Sequence, residues 1–142
     1  MRDQDESIGA PPSIAPNDTL AAQTAVVPPR REGLAPHRLQ RVLAAIEARI
    51  AEPIQVKELA DVIPMSPFHF ARMFKLATGL APHAYITERR MDLARRLLAE
   101  TDIALVEVAS RVGYQTQAHF TGVFHRHVGV TPRVYRLSQR KA

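Results

Sequence analysis

Six histidines and no cysteine set the chemistry this chain could perform. Without a thiol there is no disulfide framework, no thiolate nucleophile and no cysteine zinc site. His119, His125 and His127 lie close together in sequence, yet on a helix His125 and His127 diverge by about 200°. No His-Glu-x-x-His pair occurs and no carboxylate follows Glu107, so no metal is expected. A glycine-rich phosphate loop and a Gly-x-Ser-x-Gly elbow are also missing from the sequence, which leaves no catalytic frame and no cofactor to expect.

What the polar pattern can do is recognise. At about 100° per residue, Phe70, Met73, Phe74 and Ala77 gather on one side of a helix, and Phe68, Arg72 and Lys75 on the other. The outward side offers an arginine fork that can reach guanine O6 and N7, beside an aromatic able to touch a thymine methyl. The same residues would also suit a plain solvated face. A second helix of the same kind buries Phe120, Val123 and Phe124. Its outward side carries Ala118, Gly122 and His125, with Gln117 and Thr121 near them, and is poorer in contacts. Thr116, Gln117 and His119 at its start could meet bases or phosphates, or serve as an ordinary cap and surface.

Those helices need a frame, and the chain repeats one. Leu105, Val108, Ala109 and Val112 restate Val56, Leu59, Ala60 and Ile63 at an offset of 49. Phe120, Phe124, Gly129, Pro132 and Tyr135 then restate Phe70, Phe74, Gly79, Pro82 and Tyr85 at an offset of 50. One residue is inserted between Val112 and Phe120, in the turn, where insertions are tolerated. Each module is a short helix, a tight turn and a helix of about three turns, which is a helix-turn-helix plan. Leu39, Val42, Leu43, Ile46 and Ile50 make a leading helix that Pro53 ends, and Ser66-Pro67 opens the first recognition helix. From Pro82, a long helix carrying Ile86, Leu93, Ala94, Leu97 and Leu98 inward joins the modules.

An all-α fold of about seven helices is expected: two helix-turn-helix subdomains, residues 36–80 and 101–142, joined by a helix over 81–100. Residues 1–35 read as a disordered Pro-rich tail, too poor in apolar residues to offset its ordering entropy. The net charge of +5 divides unevenly, with −2 on residues 1–32 and +7 on the rest. After Glu107 come Arg111, Arg126, Arg133, Arg136, Arg140 and Lys141, a positive stretch suited to phosphate. No 18-residue apolar run or signal sequence is present, so a cytoplasmic, nucleoid-associated protein that meets no membrane is expected.

Leu59-Ala60, Met65-Ser66, Phe74-Lys75, Gly79, Arg90-Met91, Ala94, Leu97-Leu98, Val108-Ala109, Val112-Gly113-Tyr114, Phe120, Phe124 and Gly129-Val130-Thr131-Pro132 resemble the DNA-binding domain of AraC/XylS-type transcription regulators. The resemblance covers about residues 36–137, with the family's signature in Val108–Arg136. It implies a bacterial regulator whose two units bind successive major-groove segments of double-stranded DNA, with RNA polymerase as a further partner. By position in the motif, Phe68, Ala71 and Arg72 would read bases in the first unit, and Gln117, Ala118, His119, Thr121 and Gly122 in the second. Ser66, Lys75, Thr116, His125, Arg126, Arg133 and Arg136 are the expected phosphate contacts. The chain departs from the family at Gly122, where a basic residue is common, and at His125, where lysine is. Two unequal modules in one chain imply a monomer on an asymmetric site. The rival reading is a helical protein-interaction module, docking an acidic partner through its basic surface and an apolar patch at Phe68 and Leu76.

Overall fold

The computed structural model describes residues 33–141, so most of the expected tail lies outside the described residues. Seven helices occur among the described residues and no strand does. They are α1 (Pro36–Ala48), α2 (Val56–Val62), α3 (Pro67–Thr78), α4 (Pro82–Glu100), α5 (Leu105–Arg111), α6 (Gln117–Val128) and α7 (Pro132–Lys141). The tail boundary expected at residue 35 moves back: Leu34 is buried in the first core, and a Cβ on Gly33 would stand 2.8 Å from the Ala77 backbone nitrogen. Helix α1 ends at Ala48, a turn before the proline expected to stop it, and Ile50 packs on the core from beyond its end.

Local chemistry sets the ends of both recognition helices in the same way. The Ser66 hydroxyl accepts the His69 amide at 3.2 Å, and the Thr116 hydroxyl accepts that of His119 at 3.1 Å, each satisfying an otherwise orphaned donor. At the other end Gly79 and Gly129 adopt φ of 87° and 95°, left-handed geometry that costs glycine nothing. In the turns, the Met65 amide donates to the Ala60 carbonyl at 3.1 Å and the Tyr114 amide to that of Ala109 at 2.9 Å. The inserted residue is therefore Gln115, between Tyr114 and the capping Thr116.

Two cores follow from the two repeats. The first gathers Val42 and Ile46 of α1 with Leu59, Ala60, Ile63, Phe70 and Phe74; the second gathers Val108, Ala109, Val112, Phe120 and Phe124. Each holds the same aromatic stack: Phe70–Phe74–Tyr85 with centroids 5.6 and 5.4 Å apart, and Phe120–Phe124–Tyr135 at 5.7 and 5.6 Å. Full burial of each phenylalanine contributes about 1.5–3 kcal/mol. Helix α4 belongs to both cores, sending Ile86 into the first and Met91, Ala94 and Leu98 into the second. Leu93 and Leu97, expected to point inward, lie half-buried on the flank of that face.

Arg90 pins the two units together. Its Nε donates to the Ile50 carbonyl at 3.1 Å and its Nη2 to that of Glu52 at 2.7 Å, while its guanidinium lies 5.6 Å from the centroid of the Tyr114 ring. Burial draws the Arg90 pKa below its ordinary value, and Tyr114 partly opposes that shift. Gly113, at φ 95°, lets the second unit's turn close on this junction, because a Cβ there would fall 2.6 Å from the Ile50 carbonyl oxygen. The Arg89 Nε to Glu47 contact, at 2.7 Å, ties α4 to α1.

Candidate nucleic-acid interface

The inward phenylalanines fix the rotation of each recognition helix about its axis, so the opposite side must face water. On α3, Phe68 is 81% exposed, with Arg72 and Lys75 exposed beside it and Ala71 half-buried at the edge. Among the described residues the Phe68 ring belongs to neither core. Arg72 and Lys75 have no hydrogen-bond or ion-pair partner among the described residues. Most other arginines are occupied: Arg49 pairs with Glu58, Arg89 with Glu47, Arg95 with Asp92 and Arg111 with Glu107. The α3 face therefore presents a positive charge that no described residue neutralises.

On α6 the structure brings Gln117, Ala118, His119 and His125 to the surface, with Thr121 and Gly122 half-buried among them. His119 meets Tyr114 edge-on, centroids 5.1 Å apart at 88°, which orients its imidazole at the helix start. Ser66 and Thr116 spend an acceptor site as caps, and each hydroxyl keeps a proton to donate. Arg126 and Arg133 are exposed, and no partner holds either among the described residues.

Arg136, expected on phosphate, is half-buried, and its Nε donates to the Leu98 carbonyl near the end of α4 at 3.1 Å. Its Nη2 is buried without a hydrogen-bond partner among the described residues. Leu98 is in the last turn of α4, where carbonyls lack helical partners and a cation is favoured. Arg140 is committed too, bonding Asp102 at 2.6 Å and holding that carboxyl below its usual range. With Arg111 paired to Glu107, much of the basic C-terminal stretch serves the fold; Arg126 and Arg133 are its arginines without a partner among the described residues.

Between the units lies a cleft of about 610 Å³, lined by His83, Thr87 and Arg90 of α4, Tyr114 of the turn, and His119 and Arg126 of α6. No carboxylate lines it; Glu88 stands 4.0 Å from Nδ1 of His127, which does line it. No group of three metal-ligating side chains occurs among the described residues, and none of their helices is long and apolar enough to cross a membrane. Sequence reasoning missed the junction of Arg90 and Gly113. Its signal was faint: an arginine on the flank of a buried helix face, and a glycine just past the end of a short helix.

Comparison with known proteins matches residues 59–138 to a helix-turn-helix domain family. The regulatory protein PocR of Salmonella typhimurium is 29% identical over 106 residues, covering 73% of this chain and 35% of PocR. The transcriptional regulator GbdR of Pseudomonas aeruginosa is 33% identical over 102 residues, covering 72% of this chain and 28% of GbdR. Among solved structures, the DNA-binding domain of the transcriptional factor AdpA, in complex with a target DNA, has a TM-score of 0.70 at 34% identity, covering 73% of this chain and 94% of that one. An AraC-type regulator from Chromobacterium violaceum has a TM-score of 0.67 at 29% identity, covering 72% of this chain and 92% of the other. The chain thus spans about a third of the length of the curated relatives it matches.

Proposed function

Because this chain belongs to the AraC-type helix-turn-helix family, we propose that it is a sequence-specific DNA-binding transcription regulator, placing α3 and α6 in successive major-groove segments of one duplex. The observation that carries this reading is the pair of recognition helices held in one body by α4 and Arg90, one of which presents an arginine and a lysine without partners among the described residues beside a largely exposed phenylalanine. A guanidinium fork reads guanine and an aromatic edge meets thymine methyl, whereas Phe68, 81% exposed, lies outside both cores.

Roles divide by position. Phe68, Ala71 and Arg72 read bases from α3, and Gln117, Ala118, His119, Thr121 and Gly122 form the reading face of α6. Ser66, Lys75, Thr116, His125 and Arg133 lie at helix ends and flanks, where backbone phosphates run, and position the protein without reading sequence. RNA polymerase is the partner that transcription control calls for, and the cytoplasmic nucleoid is where such a protein works. One chain carries both units, which supports monomeric binding to an asymmetric site; the family's regulators are not enzymes in this reading. A mobility-shift titration at low salt, with random duplex as competitor, tests it. Nanomolar retention of a duplex selected from a random pool, resistant to that competitor, is expected; no preference for any selected duplex would refute the reading.

A further inference from the structure

We propose that Arg126 supplies the base-reading guanidinium of the second unit, lying back over the bare backbone at Gly122. This rests on the reading of α6 as a recognition helix, and it moves Arg126 from the phosphate flank, where its sequence position suggested it, to the reading face.

The repeat poses the question. Arg72 and Leu76 of α3 correspond, at an offset of 50, to Gly122 and Arg126 of α6. The second unit has lost a guanidinium at the first position and gained one a turn later. Helical side chains lean toward the amino end of their helix and cover the turn before their own Cα. An arginine at 126 therefore reaches the surface above residue 122. The geometry agrees: a Cβ built on Gly122 would have one neighbour, Arg126 Nη1, at 3.7 Å. The head of Arg126 lies against the site where the first unit's Arg72 side chain begins.

Two further observations favour a reading role. No carboxylate or carbonyl among the described residues holds Arg126, and no acidic residue lines the cleft it borders. Its placement over Gly122 is thus not imposed by an ion pair. Glycine is also a poor choice inside a helix, where it is less favourable than alanine. Here it leaves room for the planar guanidinium to lie on the helix and for the helix to sit close to a groove floor. A larger residue at 122 would fill that seat.

The test uses the full chain and a duplex selected by it from a random pool, together with every single base-pair replacement of that duplex. Wild type, Arg126→Ala, Gly122→Leu and the double variant are compared by equilibrium binding, with melting curves to establish that each is folded. Arg126→Ala, which removes no buried group, is expected to lower discrimination at one base pair of the second half-site by about 5- to 100-fold while other positions keep theirs. Gly122→Leu should flatten the same base pair, and the double variant should be no worse there than either single change. The proposal is overturned if Arg126→Ala weakens all duplexes by one common factor and reduces the salt slope by about one phosphate, or if it changes nothing. A wild-type chain that discriminates among no duplexes would instead overturn the DNA-reading function itself. Should Gly122→Leu fail to fold, the Arg126→Ala profile decides alone.

Discussion

Arg72 projects from the middle of α3 with no intrachain group to hold it among the described residues, so its planar fork is available to two acceptors at once. Arg72→Ala should cost about 1–3 kcal/mol in binding and relax preference at one base pair, measured over the same replacement panel. Arg133 and Arg136, three residues apart on α7, should then behave differently. Arg133→Ala is expected to weaken all duplexes alike and flatten the salt dependence, as a phosphate contact would. Arg136→Ala should instead lower the melting temperature, losing a charged hydrogen bond to the Leu98 carbonyl worth about 1.5–3 kcal/mol. The reverse pattern would mean the two are wrongly placed. The sequence shows both arginines as positive charge, and nothing local tells an arginine pointing into water from one folded onto a carbonyl 38 residues away.

At the scale of elements, helix starts and stops are written locally, in Ser66-Pro67 and Thr116 at one end and Gly79 and Gly129 at the other, which is why the repeat was legible. The inward faces of α3 and α6 follow from the spacing of Phe70 with Phe74 and Phe120 with Phe124, all wholly buried. Phe124→Ala should cost about 3–5 kcal/mol and unfold the second unit, taking DNA binding with it; circular dichroism showing an unchanged melting point would reverse the assignment of inside and outside on α6. The junction was not legible, because Arg90, Ile50, Glu52 and Gly113 meet only once both units are folded. Gly113→Ala tests it. With φ at 95° and a Cβ forced to 2.6 Å from the Ile50 carbonyl oxygen, the turn must pull away. We expect a lowered melting point and weakened binding to a two-groove duplex, even though residue 113 reads no base.

Over the whole molecule, charge and length decide how the chain meets its duplex. Residues 1–32 carry −2 and the remainder +7, so removing residues 1–32 should leave affinity unchanged or slightly higher; lost affinity would show that Arg30 and Arg31 contact the minor groove as an arm. Helix α4 has 19 residues and at 1.5 Å per residue is about 28 Å long. With the radii of the helices it separates, that approaches the roughly 34 Å of one DNA turn. Arg90 and Gly113 fix the angle at which the units share that length, and their unequal faces, Phe68, Arg72 and Lys75 against Ala118, Gly122 and His125, favour an asymmetric site. The most direct measurement is a hydroxyl-radical footprint on the selected duplex, with the protein-to-duplex ratio determined in the same solution. One chain per duplex is expected, protecting two tracts on one face of the DNA, centred about one helical turn apart and different in sequence. A single protected tract, or a palindromic pair requiring two chains, would contradict the account.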